Sequence, residues 1–237
     1  MKVSIVIPAH NEEENIAASI QAALAQNHSD FEVIVVNNVS TDRTVEVASR
    51  FPVKVVHETR KGLLWAREAG RVTASGDIIA NMDADCLPDA DWLSRALRHF
   101  DNPDVVAVTG PYDYHDGTPG FRRSSLLTQR YIYKPVSVLL QLPFIRGGAI
   151  LIGGNNLIRA DILNKTAGYN TDLTFYGEDT DTAKRVSKHG YVVFNNDLPM
   201  KTSARRYQRE GIFKLQMKYL FHFFKHIFKK KDSLRVI

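Results

Sequence analysis

The sequence predicts an α/β fold with a mostly parallel central sheet flanked by helices, and two observations carry that expectation. Through the first hundred residues, short apolar runs alternate with segments of helical period, the pattern of parallel strands joined by crossover helices. The 237 residues are 44% hydrophobic and 24% charged, which suits one substantial core under an ordinary polar surface.

In chain order, Val3-Ser4-Ile5-Val6-Ile7-Pro8 reads as a first core strand, too short and too soon ended by Pro8 for a signal peptide or membrane span. Asn11 and Glu14 are spaced as a capping box for a helix whose Ile16, Ile20, Ala23 and Leu24 share a face. Strand Val33-Ile34-Val35-Val36 is followed by a polar turn from Asn37 to Asp42 and a short helix to Arg50. Strand Val53 to His57, a helix from Leu63 to Thr73 and strand Asp77 to Met82 come next. Pro88 is placed to start a helix bearing Leu93, Ala96, Leu97 and Phe100, ahead of strand Val105 to Thr109. Beyond it, Ser124 to Leu142 is helix-like but interrupted by Pro135, and Phe144 to Ile152 is apolar and glycine-containing. These stretches fit a lipid-facing groove and packing on the sheet equally well. The lone Cys86 makes no internal disulfide and reads as a small buried filler, so nothing points to an oxidising compartment.

Charge separates the end of the chain from the rest. From Lys201 onward there are 11 Lys and Arg against 2 Asp and Glu, leaving 20 basic and 24 acidic residues before it. In that tail Phe213, Met217, Leu220, Phe221, Phe224 and Phe228 fall on one helical face, with Lys214, Lys218, His222, Lys225 and Lys229 on an adjoining one and Lys230 and Lys231 following. So many lysines make a poor transmembrane helix and a good interfacial one. The expectation is peripheral attachment to the cytoplasmic face of a membrane, with no nucleic-acid partner.

Ligands of open α/β sheets collect at the carboxyl ends of strands, here Pro8 to Glu12, Asn37 to Asp42 and Asp83 to Asp85. Asp83-Ala84-Asp85, at the end of Ile78-Ile79-Ala80-Asn81-Met82, offers hard oxygens suited to Mg²⁺ or Mn²⁺ carrying a diphosphate. The bland alternative is a solvated strand end.

Four ordered motifs carry a resemblance: Val3 to Glu13, Val33 to Asp42, Ala74 to Asp85, and Gly153-Gly154-Asn155-Asn156 through Gly177-Glu178-Asp179-Thr180-Asp181. Together they resemble the inverting family 2 glycosyltransferases of the GT-A nucleotide-binding fold. The resemblance implies a catalytic domain over residues 1–210, followed by the basic amphipathic tail 211–237. It implies a nucleoside-diphosphate sugar as donor, a saccharide or lipid-linked acceptor, and a divalent cation, Mn²⁺ or Mg²⁺. Carried over by position, Pro8, His10 and Glu12 fall where the family holds the base and ribose. Asn38 falls where it usually has an aspartate, and an amide both donates and accepts where a carboxylate only accepts. Val39 replaces a frequent glycine, so the turn is expected to differ in shape. Arg67 is a candidate contact to the diphosphate or sugar, Asp85 the metal ligand, and Asp83 a contact to ribose or donor sugar. Asp179 is the candidate general base. Arg205 and Arg206 are candidates for a basic clamp, Arg206 being counted with the donor site. A nucleotidyltransferase would share the sheet and the acids, but usually has a glycine- and arginine-rich loop where this chain has Pro8-Ala9-His10-Asn11-Glu12. A non-catalytic carbohydrate or nucleic-acid binding module would explain the basic tail without needing Asp83, Asp85 and Asp179 together.

Overall fold

The structure, a computed structural model, describes residues 1–143, 145, 148–173 and 176–228. Four parallel strands open the chain: β1 (Val3–Ala9), β2 (Phe31–Asn37), β3 (Lys54–His57) and β4 (Ile78–Met82). Every residue of β1 and β4 is buried, as expected for strands covered on both faces. Helices α1 (Ile16–Leu24), α2 (Thr44–Ala48) and α3 (Leu63–Thr73) make the crossovers. Side chains alternate along β1, so Ile5 and Ile7 join Ile16 and Ile20 of α1 in one core layer. Val6 turns the other way and packs with Leu64 and Ala66 of α3.

The sheet continues as β5 (Val105–Thr109), β7 (Asn155–Arg159) and β8 (Tyr191–Phe194), in the order β3-β2-β1-β4-β7-β5-β8. Strand β7 alone runs antiparallel, pairing Met82 with Asn155 and Ile78 with Arg159. A second small sheet joins β6 (Tyr112–Tyr114) to β9 (Met200–Thr202). The remaining helices are α4 (Trp92–Leu97), α5 (Pro119–Thr128), α6 (Lys134–Leu140), α7 (Ala160–Lys165), α8 (Glu178–Val186), α9 (Arg205–Glu210) and α10 (Ile212–Phe228).

Several local expectations are corrected. The Asn11–Glu14 capping box does not form: α1 starts at Ile16, and Asn11 is left-handed (φ 55°) with its Oδ1 accepting the Thr41 N–H at 2.8 Å. Asparagine tolerates that backbone, and the bond ties the first loop to the second. Pro88 does not open α4, because Leu87 is held extended by its N–H bond to the Lys201 carbonyl (2.8 Å) and the helix begins at Trp92. Leu93, Ala96, Leu97 and Phe100 are nevertheless all buried. Pro135 does not break its segment either. The chain runs from α5 through a π-helical turn, Gln129–Tyr133, into α6, and Pro135 sits in the first turn of α6, where a missing N–H is tolerated. This segment docks through Phe121, Gln129 and Ser137 and leaves Leu127, Tyr131, Ile132, Val138 and Leu139 exposed.

The tail helix is only partly covered by the rest of the chain. It packs on the core through Leu215 and Ile227, while Phe213, Met217, Leu220, Phe221 and Phe224 face outward, Phe213 being 78% exposed. Lys184 Nζ donates to the carbonyls of His226 (3.2 Å) and Ile227 (3.0 Å), a cation at the last turn of the helix. Lys218 binds Glu210 at 3.0 Å, and the rings of His222 and Tyr176 stack. The Phe228 side chain and Lys229, Lys230 and Lys231 lie outside what is described. Among the described residues no helix is long and apolar enough to cross a membrane.

Candidate active site

Because β1, β2 and β4 are parallel, their carboxyl-end loops gather on one side of the sheet and bring Pro8 to Glu12, Asn37 to Asp42 and Asp83 to Asp85 together. Asp83 is held on two sides. Its Oδ1 lies 3.2 Å from Arg67 Nη2, and its Oδ2 accepts from the Tyr112 hydroxyl at 2.8 Å. The same hydroxyl accepts the Gly154 N–H at 2.8 Å. A Cβ on Gly154 would lie 2.3 Å from Asp83 Cγ and 2.4 Å from the Tyr112 oxygen, so a side chain there would displace the carboxylate.

Arg67, on α3, is only 2% exposed. Its Nη1 lies 2.7 Å from Glu178 Oε2, so one buried guanidinium spans from Asp83 to the start of α8. Its guanidinium is thus tied to two carboxylates, which it orients. Burial raises the Glu178 carboxyl above the ordinary range, with Arg67 pulling it back. Asp179 is raised too, by burial, against bonds from Thr180, whose N–H donates to Asp179 Oδ1 at 2.7 Å. That N–H belongs to the first turn of α8, where the helix dipole also favours the anion. Gly177 precedes it in the left-handed region (φ 84°), and a Cβ there would meet the His226 ring at 2.3 Å. The tail therefore lies directly on the loop that presents Asp179.

Asp85 is mostly buried, and its pKa is pushed up to about 6 by burial and by Asp83, with Arg205 pulling it down and Glu12 pushing it further up. Thr202 donates to its Oδ1 at 3.2 Å. Arg205 Nη2 lies 3.3 Å from its Oδ2 and also contacts Glu12 Oε1. Among the described residues no group of three or more His, Cys, Asp or Glu side chains is arranged to hold a metal. Asp85 offers the hard carboxylate oxygen that a Mg²⁺ or Mn²⁺ ion sharing its other ligands with phosphate and water would use.

The residues at the ends of β1 and β2 are placed as follows. Pro8 is buried within β1 opposite Val36, and the His10 ring nitrogen Nδ1 meets the Asn38 carbonyl at 2.7 Å. Glu12 accepts from Asn15 Nδ2 at 2.9 Å, and its backbone N–H donates to Thr44 Oγ1 at 2.8 Å. Asn38 is 5% exposed, and its amide is used inside the protein. It donates to the carbonyls of Glu58 (3.3 Å) and Arg60 (2.8 Å) and accepts from Gly62 N–H (2.7 Å). A carboxylate lacks those donors, so the amide fits the loop-pinning role. Val39 stands at φ 60°, in the left-handed region that glycine enters most readily. A β-branched residue there carries strain of about 1–3 kcal/mol.

Of the two arginines after β9, Arg205 meets the acids, whereas Arg206 turns toward the tail, with Nη1 3.4 Å from Tyr219 Oη and Nε 3.9 Å from Glu210. Neighbouring helical residues point about 100° apart, which is why one faces the site and the other does not. Sequence reasoning missed Tyr112 and Thr202, which lie in the short β6 and β9 and carry no motif.

A sheet whose strand ends present an acid pair beside a second acidic helix start has its acids where open α/β sheets hold their ligands. Residues 4–166 match the family model described as Glycosyl transferase family 2, and the chain belongs to that family. It is 29% identical over 207 residues to glycosyltransferase AglE of Haloferax volcanii, covering 83% of this chain and 65% of that one. It is 36% identical over 120 residues to the dolichol-phosphate mannosyltransferase of Pyrococcus furiosus, covering 47% of this chain and 34% of that one. The chain thus spans less than two thirds of either relative. Among solved structures, the mannosyltransferase PcManGT of Pyrobaculum calidifontis, in complex with GDP-Man and Mn²⁺, matches with a TM-score of 0.75 at 23% identity, over 98% of this chain and 66% of that one. Glucosyl-3-phosphoglycerate synthase of Mycobacterium tuberculosis, in complex with Mn²⁺, UDP and phosphoglyceric acid, matches with a TM-score of 0.64 at 19% identity, over 98% of this chain and 80% of that one. The fold is the mixed α/β fold of these enzymes.

Proposed function

We propose that the chain is a metal-dependent inverting glycosyltransferase, moving a sugar from a nucleoside-diphosphate donor to an acceptor hydroxyl or phosphate on a saccharide or a lipid-linked carrier. The observation that carries this reading is the Asp83–Arg67–Glu178 bridge, which joins the donor acids to the helix start bearing Asp179. In this reading Asp83 contacts ribose or sugar, held by Tyr112 and Arg67. The loops at Pro8 to Glu12 and Asn38 frame the base and ribose. Asp85 would ligate Mn²⁺ or Mg²⁺, which when bound neutralises charge on the departing diphosphate. Asp179 takes the proton of the acceptor hydroxyl as its oxygen attacks the anomeric carbon opposite the leaving phosphate, which inverts the centre. The Mn²⁺ in the two solved structures and the dolichol-phosphate mannosyltransferase activity named for one relative support this reading.

The test is calorimetric binding of GDP, UDP and their sugars in Mn²⁺ and in chelator, to the wild-type chain and to Asp85→Ala. Wild type is expected to bind one base preferentially and only with Mn²⁺, and Asp85→Ala to lose that dependence while remaining folded. Equal affinity in Mn²⁺ and chelator would remove the metal from the mechanism.

We further propose that the outward aromatic face of α10 attaches the protein peripherally to an anionic membrane surface, on the cytoplasmic side, near a membrane-borne acceptor. Support comes from the exposed Phe213 and Phe221, the lysines beside them, and the exposed apolar residues of α5 and α6. The chain is expected to float with anionic liposomes at low salt, and Phe213→Ser with Phe221→Ser to stay behind. If the wild-type chain ignores the vesicles, the attachment is wrong.

A further inference from the structure

Arg205, a candidate for a basic clamp, lies on the acids themselves. Its guanidinium contacts Glu12 Oε1 and lies 3.3 Å from Asp85 Oδ2. It also borders an open cleft of about 210 Å³ whose lining includes Glu12, Glu13, Glu14 and Asp42. The backbone beneath it is pinned. Asp116 accepts from the Ser203 hydroxyl (2.6 Å) and the Ala204 N–H (2.5 Å), and the Tyr207 ring lies 4.8 Å from Phe121 and 5.2 Å from Tyr114. The side chain remains 46% exposed, so the guanidinium can move while its helix stays fixed.

We propose that Arg205 is an internal counter-cation that guards Asp85 against free divalent metal, so that metal enters together with a nucleoside diphosphate. This rests on the donor-site reading above. A guanidinium and a divalent cation compete for the same Asp85 oxygen and repel each other at that separation. With one protein carboxylate on offer, a metal arriving alone gains too little to displace Arg205. A diphosphate changes both sides of the exchange. It brings further oxygens to the metal, and its charge offers the planar guanidinium fork a new bidentate partner. The guanidinium then leaves Asp85 for phosphate as the metal takes Asp85.

The test measures Mn²⁺ alone, by the loss of its free paramagnetic resonance signal, and then Mn²⁺ with GDP or UDP. Wild type, Arg205→Gln and Arg205→Lys are compared, with thermal melts to verify folding. Arg205→Gln is expected to bind Mn²⁺ alone at least about tenfold tighter than wild type, the scale on which one adjacent charge shifts an ionic equilibrium. Arg205→Lys keeps the charge and is expected to stay close to wild type. With the diphosphate present the order reverses, and Arg205→Gln binds the metal–nucleotide pair more weakly. If wild type and Arg205→Gln bind free Mn²⁺ equally, yet both bind Mn²⁺ with nucleotide, the counter-cation role is overturned and the donor-site reading stands. If no form binds Mn²⁺ even with nucleotide, both are overturned.

Discussion

Asp179→Asn is expected to lower sugar transfer by roughly two orders of magnitude or more while leaving donor binding intact. The amide is nearly isosteric and keeps an oxygen for the Thr180 N–H, but it cannot take the acceptor proton. The pH profile gives a second check. Burial raises Asp179 above its ordinary value of 3.8, so the base is lost to protonation at a higher pH than an exposed aspartate would be. With donor and metal saturating, single-turnover transfer by the wild type should fall on the acid side through that raised value, and the residual rate of Asp179→Asn should show no such limb. Near-normal transfer by the variant would place the base elsewhere.

Arg67→Met is expected to cost about 3–5 kcal/mol of folding stability, because it removes one partner from a buried network and leaves the Glu178 and Asp83 carboxylates uncompensated. Denaturant melts measure it. The sign of its pH dependence follows from Glu178. A carboxyl whose folded pKa lies above the unfolded one binds its proton more tightly when native, so native stability falls as pH rises between the two values. Without the guanidinium that elevation grows. The deficit of Arg67→Met should therefore be smallest in mild acid and largest above neutrality. A deficit independent of pH would mean that the lost packing of the arginine stem, and not the stranded charge, sets the cost.

The nucleotide-binding half of the fold was legible because each element announces itself locally. Buried parallel strands read as unbroken apolar runs in Val3 to Pro8 and Val33 to Val36, and α3 carries its period from Leu63 to Thr73. The start of α1 was misjudged because Asn11 satisfies a neighbouring loop 30 residues away, which no local rule weighs. Strand β7 was missed for a related reason. Its identity comes from lying between β4 and β5, while its sequence Asn155-Asn156-Leu157-Ile158-Arg159 has little apolar length of its own. At the candidate site the acids were visible as motifs, but the choice of Arg205 over Arg206 and the role of Tyr112 depend on side-chain direction, which spacing alone does not give.

The place of β7 also sets an order of events for a growing chain. Strands β1 to β4 join through nearby crossovers, but β4 and β5 cannot complete their pairing until Asn155–Arg159 arrives between them. Until residue 159 has been made, β4 presents one unpaired edge and β5, whose other neighbour β8 comes later still, presents two, the exposed template that invites intermolecular pairing. The strand that covers the β4 edge is preceded by Gly154, whose N–H binds the Tyr112 hydroxyl that holds Asp83. A nascent chain thus covers the free edge of β4 and gains the Tyr112 contact that holds Asp83 in the same late step.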